Sequence, residues 1–256
     1  LDIVILPLVR LGTCKGCAVW LLKATMKSEK ISKAEKVAEK RWYDDACGTA
    51  LALEFVGERW SLLIIRELMF GPRRFGELKA NLPGISANVL TQRLEGLEEA
   101  NVLVKRKLPS ALSVQVYELT QWGYLAEPMI QEMGRWSTRS RRHDVSLFFS
   151  PASAMMSLRT MIDREKAGGL RMTIAFEFPT DLFVGELADG ALEIRRGETG
   201  KADVRFISDP TTFAFTVYGK IRFEVNEAEG KLRVEGDRAA AQRFVDLFEL
   251  PEKLAD

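Results

Sequence analysis

The chain has 256 residues, 46% of them hydrophobic and 29% charged, with a formal net charge of +1, so it is long enough for two ordinary domains and apolar enough to build cores. Three cysteines and a single histidine exclude a disulfide framework and leave little material for a zinc site or a Cys/His catalytic pair. The near-neutral total hides an asymmetry: residues 1–39 carry +3, residues 40–143 carry +3 and residues 144–256 carry −5, which places an anionic partner at the front of the chain.

Residues 1–39 read as an N-terminal extension, partly non-native or flexible. The first 25 residues are apolar but interrupted by Pro7, Arg10, Gly12, Lys15 and Gly16, too broken for a membrane helix. They lack the order of a secretory signal. Met26 reads as the natural start. Cys14 and Cys17 form a CxxC outside any strand–helix context, a weak signal for a redox or metal pair. Lys27 to Lys40 reads as a frayed helix or arm.

Residues 40–143 form the first domain. Ala46 to Phe70 is predicted helical, with Leu51, Phe55, Leu62, Ile65 and Leu68 on the apolar side and a split or bend at Gly57 to Trp60. Gly71-Pro72 stops it. Arg73 to Asn81 is a short helix, and Leu82-Pro83-Gly84 is a turn. Ser86 is placed to cap a helix that reaches about Ala100. Leu90, Leu94 and Leu97 form its buried stripe. A hairpin follows, from Val102 to Lys107 and back from Val114 to Leu119, with its tip at Leu108 to Ser113. A final helix from Thr120 to about Arg142 is expected to kink at Pro128.

The outward face of the Ser86-capped helix carries Ser86, Asn88, Thr91 and Gln92, which are short and polar. Such side chains donate and accept at base edges in a major groove, and Asn or Gln pairs bidentately with adenine. Taken alone, the same face is an ordinary solvated surface. Arg73 and Arg74 precede it, and Lys105, Arg106 and Lys107 follow it, in positions suited to phosphate. Arg93 either reaches a phosphate or braces Glu58 or Glu98. The order is that of a winged helix-turn-helix, with a helix in the groove and a wing on the backbone.

The stretches GERWSLLIIRELMFGPRRFGELKANLPGISANVLTQRLEGLEEANVLVKR and VYELTQWGYLAEPMIQEMGRW carry a resemblance to the HxlR family of bacterial winged-helix regulators, over residues 42–140. The resemblance implies a homodimer on an inverted-repeat operator in double-stranded DNA, joined through the first and last helices of the domain. Three cysteines without a disulfide framework fit a reducing compartment, so a cytoplasmic protein is expected. Family members often carry a cysteine before the first core helix, in some a sensor of electrophiles or oxidants, and Cys47 matches that position. Gly48 follows it where the family usually has proline.

Residues 150–256 form the second domain. A helix from Pro151 to Asp163 is followed by strands at Leu170–Phe178, Phe183–Leu187, Ala191–Arg196 and Ala202–Ser208, with a hairpin turn at Asp189-Gly190. Asp209-Pro210 opens a helix, then a strand covers Lys231 to Glu235 and a last helix Arg238 to Leu250. The stretches ADVRFISDPTTFAFTVYGK and GKLRVEGDRAAAQRFVDLF resemble the sterol-carrier-protein-like fold, which implies an apolar ligand enclosed between sheet and helices. Met155, Met161, Phe213, Phe215 and Tyr218 are the candidate lining, although Met and aromatic stripes as often fill cores.

The fold class expected is α+β: a winged helix-turn-helix, then an α/β sterol-carrier-like domain with a mainly antiparallel sheet. The function expected is sequence-specific transcription regulation, with a back domain that takes an apolar effector or supports the dimer. The alternative is a hydrophobic-ligand carrier whose front domain contacts protein. No phosphate loop, nucleophile elbow or metal-ligand cluster is present in the sequence, so no enzyme, cofactor, metal or membrane partner is expected.

Overall fold

Two short helices stand where the sequence offers one long apolar run: α1 (Gly48–Val56) and α2 (Ser61–Leu68). The break is complete, because Trp60 takes φ of 84°, a left-handed conformation no helix can pass through. The ring of Trp60 packs on the core. A computed structural model supplies these coordinates and describes residues 43–108 and 114–254. The Cys14–Cys17 pair, the arm at 27–40 and most of the hairpin tip lie outside the described residues.

The helix α3 (Phe75–Asn81) leads through a turn at Gly84, φ +89°, into α4 (Ala87–Glu99). Strands β1 (Leu103–Lys107) and β2 (Gln115–Leu119) pair antiparallel. Arg73 joins their sheet by one bridge: its N–H donates to Tyr117 O at 2.9 Å and its carbonyl accepts from Tyr117 N at 2.8 Å. The expected kinked final helix is instead two, α5 (Gln121–Tyr124) and α6 (Glu127–Thr138). Pro128 lies in the first turn of α6, where its missing N–H would have had no intrahelical acceptor, so it starts a helix rather than bending one.

The back domain runs α7 (Pro151–Met161), α8 (Arg164–Ala167), β3 (Met172–Phe178), β4 (Asp181–Ala188), β5 (Ala191–Arg196), β6 (Val204–Ser208), α9 (Pro210–Tyr218), α10 (Phe223–Ala228), β7 (Leu232–Gly236) and α11 (Arg238–Val245). The sheet order is β5-β4-β3-β6-β7, and β3–β6 is its one parallel pair. The fold is therefore α+β with a mainly antiparallel sheet. The short helices α8 and α10 escaped sequence reading because neither reaches two turns. Asp163 caps α8, accepting from Glu165 N at 3.1 Å and Lys166 N at 3.0 Å. The last helix stops at Val245 instead of Leu250, because the following segment pairs with the end of α7, where Asp163 N donates to Leu247 O at 2.8 Å.

Between sheet and helices the space is filled by phenylalanines. Phe206 and Phe213 meet edge to face at 5.4 Å, Phe178 and Phe213 at 5.8 Å, and Phe244 and Phe248 at 5.0 Å. Phe213 and Met155 are 1% and 0% exposed, so both are core rather than pocket lining. Truncating a ring here costs about 3–5 kcal/mol.

The described residues form one compact unit, and α7 lies against α2 and α6. Polar contacts cross that seam. Ser150 Oγ donates to the buried Glu67 carboxylate at 2.6 Å, Arg159 pairs with Glu127 at 2.9 Å, and Arg135 Nε donates to Thr160 O at 3.0 Å. Among the described residues no helix is long and apolar enough to cross a membrane.

Candidate nucleic-acid interface

The first turn of α4 is set by Ser86, whose Oγ accepts from Val89 N at 3.2 Å. That bond satisfies one of the orphan N–H groups of a helix start. Leu90, Leu94 and Leu97 are each at most 1% exposed, which fixes the helix roll. Asn88, Thr91 and Gln92 are then turned outward and exposed. Among the described residues none of these three side chains has a hydrogen-bond partner, so their donors and acceptors are available to a ligand.

The basic residues divide into two groups. Lys105 and Lys107 are exposed on β1 and, by the alternation of a strand, share one face. Register places Lys105 opposite Tyr117 and Lys107 opposite Gln115. Neither lysine has an ion-pair partner among the described residues. Arg106 points to the other face and pairs with Glu118 across the hairpin, with half of its side chain still exposed. Arg74 is exposed beside α3, and its backbone N–H donates to Glu77 Oε2 at 2.7 Å.

Two expected phosphate contacts are placed otherwise. Arg73 is 6% exposed. Its backbone is taken by Tyr117, which turns the side chain inward to Asp181 of the back domain. No phosphate reaches it there. Arg93 takes the bracing arrangement of the two that the sequence offered: Nη2 pairs with Glu58 at 2.8 Å, and Nε donates to Arg59 O at 3.1 Å. It fastens α4 to the turn before α2.

Asp181 also accepts from Arg196 Nε at 3.0 Å, and Arg196 Nη1 donates to Phe70 O at 3.0 Å. Burial pushes the Arg196 guanidinium down from its usual range, and the nearby Arg73 charge adds to this. The sequence carried no local signal for this cluster. Its members lie far apart along the chain, and Asp181 looks like any strand-opening aspartate.

Cys47 is exposed at the N-cap position of α1. The Thr49 and Ala50 backbone N–H groups and the Thr49 side chain near its sulfur hold its thiol below the usual cysteine range, although no side-chain cap bond is formed, as expected at a helix start. Of the candidate pocket residues, Met161, Phe215 and Tyr218 line a cavity of about 390 Å³.

The HxlR-like helix-turn-helix family matches residues 55–144, and a family described as alkyl sulfatase C-terminal matches residues 143–254. The second description stands where the sequence suggested a sterol-carrier-like domain. The HTH-type transcriptional regulator YodB of Bacillus subtilis (strain 168) is 37% identical over 86 residues, covering 34% of this chain and 77% of that one. The solved reduced form of YodB from B. subtilis aligns at 33% identity over 39% of this chain and 99% of that one, with a TM-score of 0.35. The sec-alkylsulfatase Pisa1 from Pseudomonas sp. aligns at 23% identity over 42% of this chain and 17% of that one, with a TM-score of 0.37.

Proposed function

This chain belongs to the HxlR-like helix-turn-helix family and is a DNA-binding transcriptional regulator; from that premise we propose how it reads DNA. Helix α4 enters the major groove with Asn88, Thr91 and Gln92 at the base edges. Lys105 and Lys107 of the wing, with Arg74 beside α3, meet phosphates. Ser86 contributes through its cap. The observation that carries this reading is the face of α4, exposed and unpartnered, with free lysines on the adjoining hairpin.

We propose a homodimer on an inverted-repeat operator. Large apolar side chains stand exposed on the first and last helices of the domain: Leu51 and Leu53 on α1, Leu125 after α5, and Met133 and Trp136 on α6. Trp136 is 76% exposed, which is unusual for so large a ring and is met by burial against a second copy. The reading gives Cys47 a sensing role through its depressed thiol and gives the back domain a regulatory rather than catalytic one. Hydrolysis of a secondary alkyl sulfate by the purified protein would count against the last point.

The test is a gel shift with the upstream DNA of its own gene, across a salt series and against random duplex of equal length. Specific retardation that weakens steeply with salt is expected. Equal retardation of both duplexes would refute sequence reading by α4.

A further inference from the structure

The cavity lined by Met161, Phe215 and Tyr218 does not lie between sheet and helices, where the phenylalanine core sits. It lies outside α7 and α9, beneath the segment His143–Phe149, with Leu250 at one side. Its volume of about 390 Å³ falls within the range of small-molecule sites, about 300–1,000 Å³. An adjoining cavity of about 330 Å³ shares Thr138, Phe149, Ser157 and Met161 with it and reaches Leu62 and Leu63 of α2 and Trp136 of α6. The two cavities adjoin along these residues, one against the back domain and the other against the helices of the winged-helix domain.

The charges on its wall restrict what it takes. The titratable side chains lining the first cavity are His143, Asp144 and Tyr218, with no lysine or arginine among the described lining residues. Burial and the neighbouring Lys253 push the His143 imidazole down, toward its neutral form. The nearest cations are already engaged: Lys253 Nζ donates to Thr138 O at 2.7 Å and Ser140 O at 3.2 Å, and Arg66 of the adjoining cavity pairs with Glu67 at 2.8 Å. A carboxylate would face Asp144 with no free counter-charge, so the occupant is uncharged. The polar end of the wall is more specific. Tyr218 Oη donates to Ser157 Oγ at 2.9 Å, and Ser157 Oγ donates onward to Ala154 O at 2.8 Å. The phenol proton is spent, and burial holds it in place. The phenol oxygen keeps lone pairs, so it accepts and does not donate.

We propose that this cavity binds an uncharged apolar molecule carrying a hydroxyl, which donates to Tyr218 Oη while the apolar body runs past Met161 and Phe149 toward α2 and α6. The effector role of such a molecule rests on the regulator reading above, since only then does contact with α2 and α6 bear on DNA.

The experiment is calorimetric titration of the full chain with 1-decanol, 2-decanone and decanoate, repeated on Tyr218→Phe and Ala214→Phe. Decanol is expected to bind one to one, about threefold or more tighter than the ketone, which accepts but cannot donate. Decanoate is expected at least about tenfold weaker than decanol. Tyr218→Phe keeps the ring and should erase the difference between alcohol and ketone. Ala214→Phe places a ring in the cavity and should remove binding; should that variant not fold, Tyr218→Phe decides alone. No binding of decanol, or an alcohol preference that survives Tyr218→Phe, overturns the site. Operator affinity is then measured with and without decanol, with a change of about fivefold or more expected. Binding of decanol with unchanged operator affinity overturns the effector role alone. A protein that binds decanol and no DNA under any condition overturns the regulator reading and leaves the site standing.

Discussion

Arg73 at the head of α3 and Asp181 at the start of β4 form a buried ion pair although 108 residues separate them. The same Arg73 is bridged through its backbone to Tyr117 of the wing. One residue thus ties together the helix before α4, the wing and the back domain. Arg196 shares Asp181 and reaches Phe70 O, at the end of the α2 segment. The elements that flank α4 are thus tied to the back domain.

Asp181→Ala leaves the partly buried Arg196 without its ion pair and the buried Arg73 with only the longer contact to Glu77, at 3.7 Å. A loss of about 3–5 kcal/mol is expected, read as a lowered denaturant midpoint at unchanged slope. A loss below about 1 kcal/mol would mean that solvent screens the cluster.

Gln92→Ala is expected to relax preference at one base pair, with a loss of about 1–3 kcal/mol on the operator and little on random duplex. Equal losses on both would remove Gln92 from base reading.

Lys107→Ala is expected to weaken binding to every duplex and to flatten the salt slope by about one unit. Arg106→Ala should flatten it less, because Arg106 already pairs with Glu118. The comparison is made by titration at several salt concentrations, and a larger effect from Arg106 would reverse the assignment.

The Cys47 thiol is held below its usual range by N–H groups of Thr49 and Ala50 and by the Thr49 side chain. Its thiolate therefore dominates from a lower pH than that of a free cysteine. The rate of alkylation by iodoacetamide should reach its half-maximum at correspondingly lower pH. Thr49→Ala removes the hydroxyl near the sulfur, so the midpoint should move up. An unmoved midpoint would leave the backbone groups as the whole cause.

Trp136→Glu together with Leu125→Glu is expected to convert a dimer into monomers by sedimentation, with operator affinity falling alongside. A dimer that persists would place the interface elsewhere.

The sequence by itself determined the order of the winged-helix elements, the Ser86 cap and the outward set Asn88, Thr91 and Gln92. These depend on neighbours within a few residues: a cap, a leucine stripe at helical spacing, a turn glycine. It also indicated the α+β class, because alternating strands and capped helices are local patterns too. Tertiary structure alone decided where Arg73 and Arg93 go, since an arginine in sequence looks the same whether it meets phosphate, a buried carboxylate such as Asp181 or an exposed one such as Glu58. It also decided that Met155 and Phe213 are core while Met161, Phe215 and Tyr218 line a cavity. Which side of an apolar helix faces packed rings and which faces empty space depends on residues far along the chain, and periodicity carries no record of them.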